Sequence, residues 1–167
     1  MRDPETRTPR LSKPGSPAAE RPAPVPPRRG ADGLSRFLAA RREGAYAVLR
    51  VVAGILFFCH GIQKLFGAFA DAPKPVGTEA WFGGVIETLA GILIVAGLRT
   101  TWAAIIACGE MAVAYTQFHW KLAFSQSFFP IVNKGELAVL YCFLFLFIAC
   151  RGAGRWSVDA VRLESRP

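Results

Sequence analysis

Four long apolar runs, separated by short polar segments, dominate the chain from residue 45 onward. They cover residues 45–66, 80–98, 100–119 and 135–150. A helix needs about 20 residues to cross ~30 Å of hydrocarbon, so the first three runs fit and the fourth is slightly short. Backbone groups in lipid must be hydrogen-bonded internally, and the alternation of a membrane barrel strand is absent. The pattern therefore predicts an all-α fold, an integral membrane four-helix bundle.

The segment before the first run has a different composition. Residues 1–33 contain eight of the twelve prolines and many arginines, with too little apolar surface to offset the entropy of ordering. We expect a disordered Pro/Arg-rich cytoplasmic tail there. Residues 34–44 combine apolar and arginine side chains, which is typical of either an amphipathic helix lying on anionic lipid or an extension of the first span. The predicted transmembrane domain then covers residues 45–161, followed by a C-terminal tail at 162–167.

The net charge of +8 comes from basic residues that lie mainly outside the apolar runs. Ten cations precede the first run, Arg99 lies between the second and third, and four follow the last. The connections on the other side contain Lys74, Lys121 and Lys134. Because Lys and Arg are retained on the cytoplasmic side, we expect a multi-pass cell membrane protein with both termini cytoplasmic. This distribution indicates that the basic residues contact the lipid bilayer, and we expect no nucleic acid partner.

A charge near the bilayer centre costs ~3 kcal/mol, so each polar side chain within the apolar runs needs a partner or a purpose. Besides Arg50, which lies on the cytoplasmic side of the midplane, six of these side chains are candidates for a site. They are His60, Gln63, Lys64, Glu87, Glu110 and Glu136. At 1.5 Å of rise per residue, the ionisable members fall between the midplane and the outer surface. The first three share one face of the first helix, because they are spaced i, i+3, i+4. The sequence thus predicts an outward-facing intramembrane polar pocket, which either has a function or holds the helices together.

Several other chemistries lack the residues they need. The four cysteines form no C-x-x-C pair and no zinc spacing, and we expect them to be small hydrophobes at different depths. His60 and His119 differ by about 6 Å in depth, which does not suit axial ligation of haem. No Gly-rich phosphate loop and no G-x-S-x-G motif occurs. We therefore predict no metal, haem or nucleotide site, and the catalytic residues, if any, are undetermined.

Four short motifs, in order along the chain, resemble those of the DoxX family of membrane proteins. GIQKLFG at 61–67 is similar to the G-x-x-K-L element that closes the family's first helix, and Glu87 with Gly91 is similar to its E-x-x-x-G. GELAVLY at 135–141 and GAGRWSVD at 152–159 resemble its E-L-A and G-x-G-R-x-S-x-D elements. The resemblance covers residues 45–161. It implies a four-helix membrane bundle and, loosely, an association with quinone-coupled redox complexes.

Three functions remain open at this point. The first is a component of a quinone-linked membrane oxidoreductase, in which His60, Glu87 and Glu110 take protons, Lys64 and Gln63 hold a quinone carbonyl, and a redox partner subunit takes electrons. The second is a non-catalytic scaffold or assembly factor, whose polar side chains only join helices. The third is a transporter for protons or a small solute. Each is compatible with a homo-oligomer, and whether the chain is an enzyme stays open.

Overall fold

The fold is that of a computed structural model, which describes residues 32–70, 72–122 and 124–165. Residues 1–31 of the tail predicted to be disordered lie outside these described ranges. Throughout the described ranges, every regular element is helical and none is a strand. The all-α prediction is therefore confirmed.

Four long helices and two short ones follow one another along the described chain. They are α1 (Gly33–Phe66), α2 (Glu79–Ala96), α3 (Thr100–Ala114), α4 (Pro130–Asn133), α5 (Glu136–Arg151) and α6 (Val158–Glu164). A π-helical stretch, Tyr115–Trp120, continues α3. The long helices α1, α2, α3 and α5 coincide with the four apolar runs. Of these, α1 and α2 are long and apolar enough, by length and composition, to cross a membrane.

Helix α1 begins well before the first apolar run. The carboxylate of Asp32 accepts a hydrogen bond from the backbone N–H of Ser35, which caps the first turn. The helix ends at Gly67, whose φ of 68° is the left-handed conformation that glycine adopts most easily. Residues 34–44 and the first apolar run therefore belong to one uninterrupted helix. At the other end, helix α6 continues three residues past position 161, the predicted end of the transmembrane domain.

Helices α1 and α2 approach each other closely through glycines. A Cβ built on Gly61 would lie 2.5 Å from the backbone nitrogen of Thr88, and one on Gly91 would lie 2.8 Å from that of Phe58. Real Cβ atoms do not come this close, so any larger residue forces the helices apart. Small residues serve this purpose at helix interfaces in lipid, where close backbone contact provides the packing energy. The glycines thus fix the separation of the two helices that contribute Lys64 and Glu87.

Aromatic rings and alanines fill the centre of the bundle. The ring of Phe57 on α1 packs 4.6 Å from that of Phe145 and 5.8 Å from that of Tyr141, both on α5. Phe57 and Phe145 are completely buried. Helix α3 packs against α5 with a buried stripe of small residues: Ala103, Ala104 and Ala107. The aromatic cluster lies next to the polar residues of the following helical turns.

Arg50, in the middle of α1, joins three parts of the chain where α2 ends. Its side chain is fully buried, and its guanidinium donates to the carbonyl oxygens of Ile94, of Val95 at 2.9 Å, and of Trp156 at 2.7 Å. The first two carbonyls belong to the last turn of α2, and that of Ile94 also accepts a hydrogen bond from the capping N–H of Gly97. The guanidinium thereby joins the negative end of a helix dipole to the segment that follows α5, while its buried Nε has no hydrogen-bond partner among the described residues.

Asp159 performs the complementary function at the start of α3. Its carboxylate accepts hydrogen bonds from the backbone N–H of Arg99 at 2.9 Å and of Thr100 at 3.0 Å, while its own N–H donates to the carbonyl of Gly97. Burial opposes ionisation, but the hydrogen bonds from Thr100 and Arg99 outweigh it and hold the pKa of Asp159 below its ordinary value. The C-terminal segment is thus attached to the turn between α2 and α3.

Candidate functional site

A cavity of about 490 Å³ lies among α1, α2, α3 and α5 and extends to the loops at one end of the bundle. The polar groups that line it are His60, Lys64, Lys74, Glu79, Glu87, Glu110, His119, Lys134 and the phenol of Tyr141. Its apolar walls include Phe57, Met111, Phe118 and Leu137. A mostly apolar pocket of this size with a few convergent polar groups is typical of small-molecule sites.

An ion pair between α1 and α2 forms one wall of the cavity. The ammonium Nζ of Lys64 lies 2.8 Å from Oε1 of Glu87. The side chain of Glu87 is 3% exposed, whereas that of Lys64 is 27% exposed. The other oxygen of Glu87, Oε2, is buried and finds no hydrogen-bond donor among the described residues. The pair therefore fixes the orientation of the carboxylate.

Glu110 of α3 reaches the same region because α2 has no side chain at Gly83. A Cβ built on Gly83 would lie 3.1 Å from Oε1 of Glu110 and 3.6 Å from Nζ of Lys64. The carboxyl of Glu110 and the ammonium of Lys64 thus lie close to the same position beside Gly83, although the two residues belong to different helices. Oε2 of Glu110 is also buried without a donor from the part of the chain described.

The structure brings together four of the six residues that the sequence singled out. His60, Lys64, Glu87 and Glu110 all line the cavity, and the ring of His60 is edge-on to that of Tyr141 at 6.2 Å. The spacing of His60 and Lys64, one turn apart on α1, therefore places both at one cavity.

The other two residues lie outside the lining. Gln63 is half-buried on α1, next to Lys64, and Glu136 is exposed at the first position of α5. Depth estimates alone placed Glu136 in the outer half of the bundle. Because α5 begins at this residue, its side chain lies at the end of the helix and not inside the bundle.

Sequence reasoning missed several residues at the mouth of the cavity. Lys74 lies in the loop after α1, which folds back so that its N–H donates to the carbonyl of Lys64 at 2.7 Å. His119 lies in the π-helical stretch, and its ring nitrogen is 3.1 Å from the carbonyl oxygen of Asn133. A π-helix rotates by a smaller angle per residue than an α-helix does. A helical wheel drawn for an α-helix therefore does not predict which residues of this stretch face inward.

The cysteines also differ from the sequence expectation. Cys108 of α3 and Cys142 of α5 place their sulfur atoms 3.7 Å apart, although we expected the cysteines at different depths. Among the residues described, no group of three or more His, Cys, Asp or Glu is arranged to hold a metal ion.

Comparison with known proteins agrees with this architecture. The sequence profile of the DoxX family matches residues 45–120. An uncharacterized protein of Haemophilus influenzae is 39% identical over 123 residues, which cover 68% of this chain and 87% of the relative. The chain belongs to the DoxX family. An uncharacterized membrane protein of Mycobacterium tuberculosis is 28% identical over 147 residues, covering 78% of this DoxX protein and 88% of the relative. No solved structure matches significantly. The molecule is thus a helical membrane protein of the DoxX family.

Proposed function

We propose that this DoxX protein binds a quinone in its cavity and acts as a component of a quinone-linked membrane redox complex. The observation that carries the proposal is the position of the Lys64–Glu87 ion pair, together with Glu110, inside a cavity within membrane helices that also has apolar walls. Ionisable groups in such positions are expensive and mark functional sites by default. A quinone ring is apolar on both faces and polar at two opposite edges, which suits this combination of walls and charges.

The lining residues supply each contact that a quinone ring needs. The ammonium of Lys64 is held in place by Glu87 and can donate to a ring oxygen, and the side chains of Phe57 and Met111 provide apolar surface. The cavity volume falls within the range of roughly 300–1,000 Å³ of small-molecule sites. The isoprenoid tail of the ligand lies in lipid, so only the ring has to fit.

Proton transfer is the chemistry that the polar residues support. Oxidation of a quinol releases two protons and two electrons. The carboxylates of Glu87 and Glu110 and the imidazole of His60 line the cavity and can accept the protons. The electrons require a redox partner subunit, which is part of the proposal. From the distribution of cations we further propose that both termini are cytoplasmic and that the cavity faces the outer side of the cell membrane.

The experiment is to purify the protein in mild detergent and to identify extracted quinones by chromatography and absorption. We expect bound quinone in the wild type and much less in Lys64→Met and Glu110→Gln variants. Glu136→Gln is the matched control, because Glu136 is an exposed glutamate outside the cavity lining. Wild-type protein that neither carries quinone nor binds added quinone would refute the proposal, provided that circular dichroism shows intact helices.

A scaffold is the second candidate, favoured by the exposed apolar side chains of the segment between α3 and α5. Phe124 is 88% exposed and Ile131 is 74% exposed, and such a patch is typical of a surface that contacts lipid or another protein. A scaffold retains its membrane partner when Lys64 and Glu110 are replaced, whereas substitutions at Phe124 and Ile131 release it. Co-purification of the variants from membranes separates the two functions.

A further inference from the structure

We propose that Cys108 of α3 and Cys142 of α5 form a second reactive site, at which an organic hydroperoxide dissolved in the membrane is reduced to its alcohol while the two thiols become a disulfide. Neither cysteine lines the polar cavity described above, and the reaction does not depend on quinone binding. Two observations support this site: the contact between the two sulfur atoms, and the apolar groove beside Cys142.

The two thiols are in contact across the interface between α3 and α5. Their sulfur atoms lie 3.7 Å apart, and both side chains are half-buried against the core of the bundle. A disulfide has its sulfur atoms about 2.05 Å apart, so the two atoms must approach each other by about 1.7 Å. Rotation of a cysteine side chain from one rotamer to another about the Cα–Cβ bond moves its sulfur by a comparable distance. The disulfide can therefore form without the unfolding of either helix.

A groove on the outside of the bundle exposes one of the two thiols. It has a volume of about 330 Å³ and is bordered by α3, α5 and the segment between them. Cys142 is part of its wall, together with apolar side chains such as Val139 and Phe143, whereas Cys108 does not line it. Phe143 is 65% exposed, so this wall reaches the outer surface of the helices. A molecule that enters the groove from lipid therefore meets Cys142 first.

The lining of the groove favours an apolar oxidant that needs no hydrogen-bond donor. Apart from the thiol, its polar side chains are the hydroxyls of Tyr115 and Thr116, and both already donate to backbone carbonyl oxygens. The carbonyl oxygens of a quinone would find no free hydroxyl donor there. A hydroperoxide with an apolar body needs only a nucleophile for its O–O bond, which the sulfur of Cys142 supplies.

The reaction consists of two displacements. The sulfur of Cys142 attacks the terminal oxygen of the hydroperoxide, the O–O bond breaks, and the thiol proton passes to the leaving alkoxide, which gives a sulfenic acid and an alcohol. The sulfur of Cys108 then attacks that of Cys142, and the hydroxyl group leaves as water with the proton of Cys108. The thiol pair thus loses two electrons, which the peroxide gains. Because no cation is found among the described lining residues to stabilise a thiolate, we expect a slow reaction.

The test uses the reduced full-length protein in nanodiscs of saturated phospholipid, with cumene hydroperoxide as the apolar probe and hydrogen peroxide as the polar one. Peptide mass spectrometry detects the loss of two hydrogens from the cysteine pair, and chromatography detects the equivalent amount of cumyl alcohol. We expect cumene hydroperoxide to form the disulfide at least about tenfold faster at equal concentration, since transfer of two carbons from water to an apolar site already corresponds to about that factor.

Variants separate the functions of the two thiols. In Cys108→Ser, oxidation should stop at a sulfenic acid on Cys142, which dimedone traps, whereas dimedone should not label Cys108 in Cys142→Ser. Cys150→Ser is the matched control, because Cys150 is an exposed cysteine at the end of the same helix, and it should form the disulfide as the wild type does. Circular dichroism checks the helices of each variant, and alanine replaces serine where serine disturbs folding.

Three results would overturn the inference. They are wild-type thiols that stay reduced in cumene hydroperoxide, dimedone labelling of Cys108 in place of Cys142, and oxidation by hydrogen peroxide that is as fast as oxidation by cumene hydroperoxide. None of these results bears on quinone binding in the polar cavity, so the proposed function stands or fails separately.

Discussion

The ion pair between Lys64 and Glu87 leads to an asymmetric prediction for stability. Lys64→Met leaves the carboxylate of Glu87, which is only 3% exposed, without its cation. Breaking a buried ion pair by removal of one partner destabilises a protein by about 3–5 kcal/mol. Because the side chain of Lys64 is 27% exposed and water screens part of the interaction, we expect the lower end, about 3 kcal/mol.

The reverse substitution should be milder. In Glu87→Gln the amide oxygen can still accept a hydrogen bond from Lys64, and the flexible lysine can extend its ammonium toward water. We expect a loss of about 1 kcal/mol, the value of an ordinary hydrogen bond. Adding Glu87→Gln to Lys64→Met removes the unpaired charge, so the double variant should recover about 1–2 kcal/mol relative to Lys64→Met.

Reversible unfolding in mixed micelles, followed by circular dichroism, measures all three free energies. Glu136→Gln serves as a control for the removal of an exposed glutamate and should change stability by less than about 0.5 kcal/mol. Equal losses in the two single variants, or a double variant less stable than Lys64→Met, would refute the view that Glu87 is the buried and Lys64 the solvent-accessible member of the pair.

Three further predictions test the surrounding fold. Gly61→Val should separate α1 from α2 and destabilise the protein by about 3 kcal/mol or more in the same unfolding assay, because a Cβ there meets backbone. Stability conferred by Asp159 is present above its ordinary pKa of about 3.9 and is lost as pH falls through its lowered folded-state pKa; unfolding of Asp159→Asn between pH 6 and 3 should lack this component. Copper phenanthroline should link Cys108 to Cys142, whose sulfur atoms are 3.7 Å apart, giving a 2 Da mass loss by the removal of two hydrogens; Cys108→Ser should prevent it.

Much of the fold and part of the site follow from sequence patterns of short range. The apolar runs predict α1, α2, α3 and α5, since lipid demands continuous hydrophobic helices. The i, i+4 spacing of His60 and Lys64 predicts that they share a face, and both line the cavity. Gly91, four residues after Glu87, indicates the close approach of α1 and α2. These features depend only on the spacing of residues along a helix, which can be read directly from the sequence.

The remaining features depend on contacts between distant segments. The guanidinium of Arg50 donates to backbone carbonyls of α2 and of the segment after α5, and no residue type signals a carbonyl as a partner. His119 reaches the mouth of the cavity through a π-helical stretch, whose register departs from the usual period. The exposure of Glu136 depends on where α5 begins. Such placements are set by tertiary packing and loop paths, which hydrophobic periodicity does not encode.

Photolabelling with an azidoquinone in native membranes tests the central claim, that the cavity binds quinone, most directly. We predict adducts on peptides that contain Met111 and Tyr141, which line the cavity, and their loss in the presence of excess unlabelled quinone. Labelling confined to outward-facing side chains such as Leu140 and Phe143, or insensitive to competing quinone, would contradict the account.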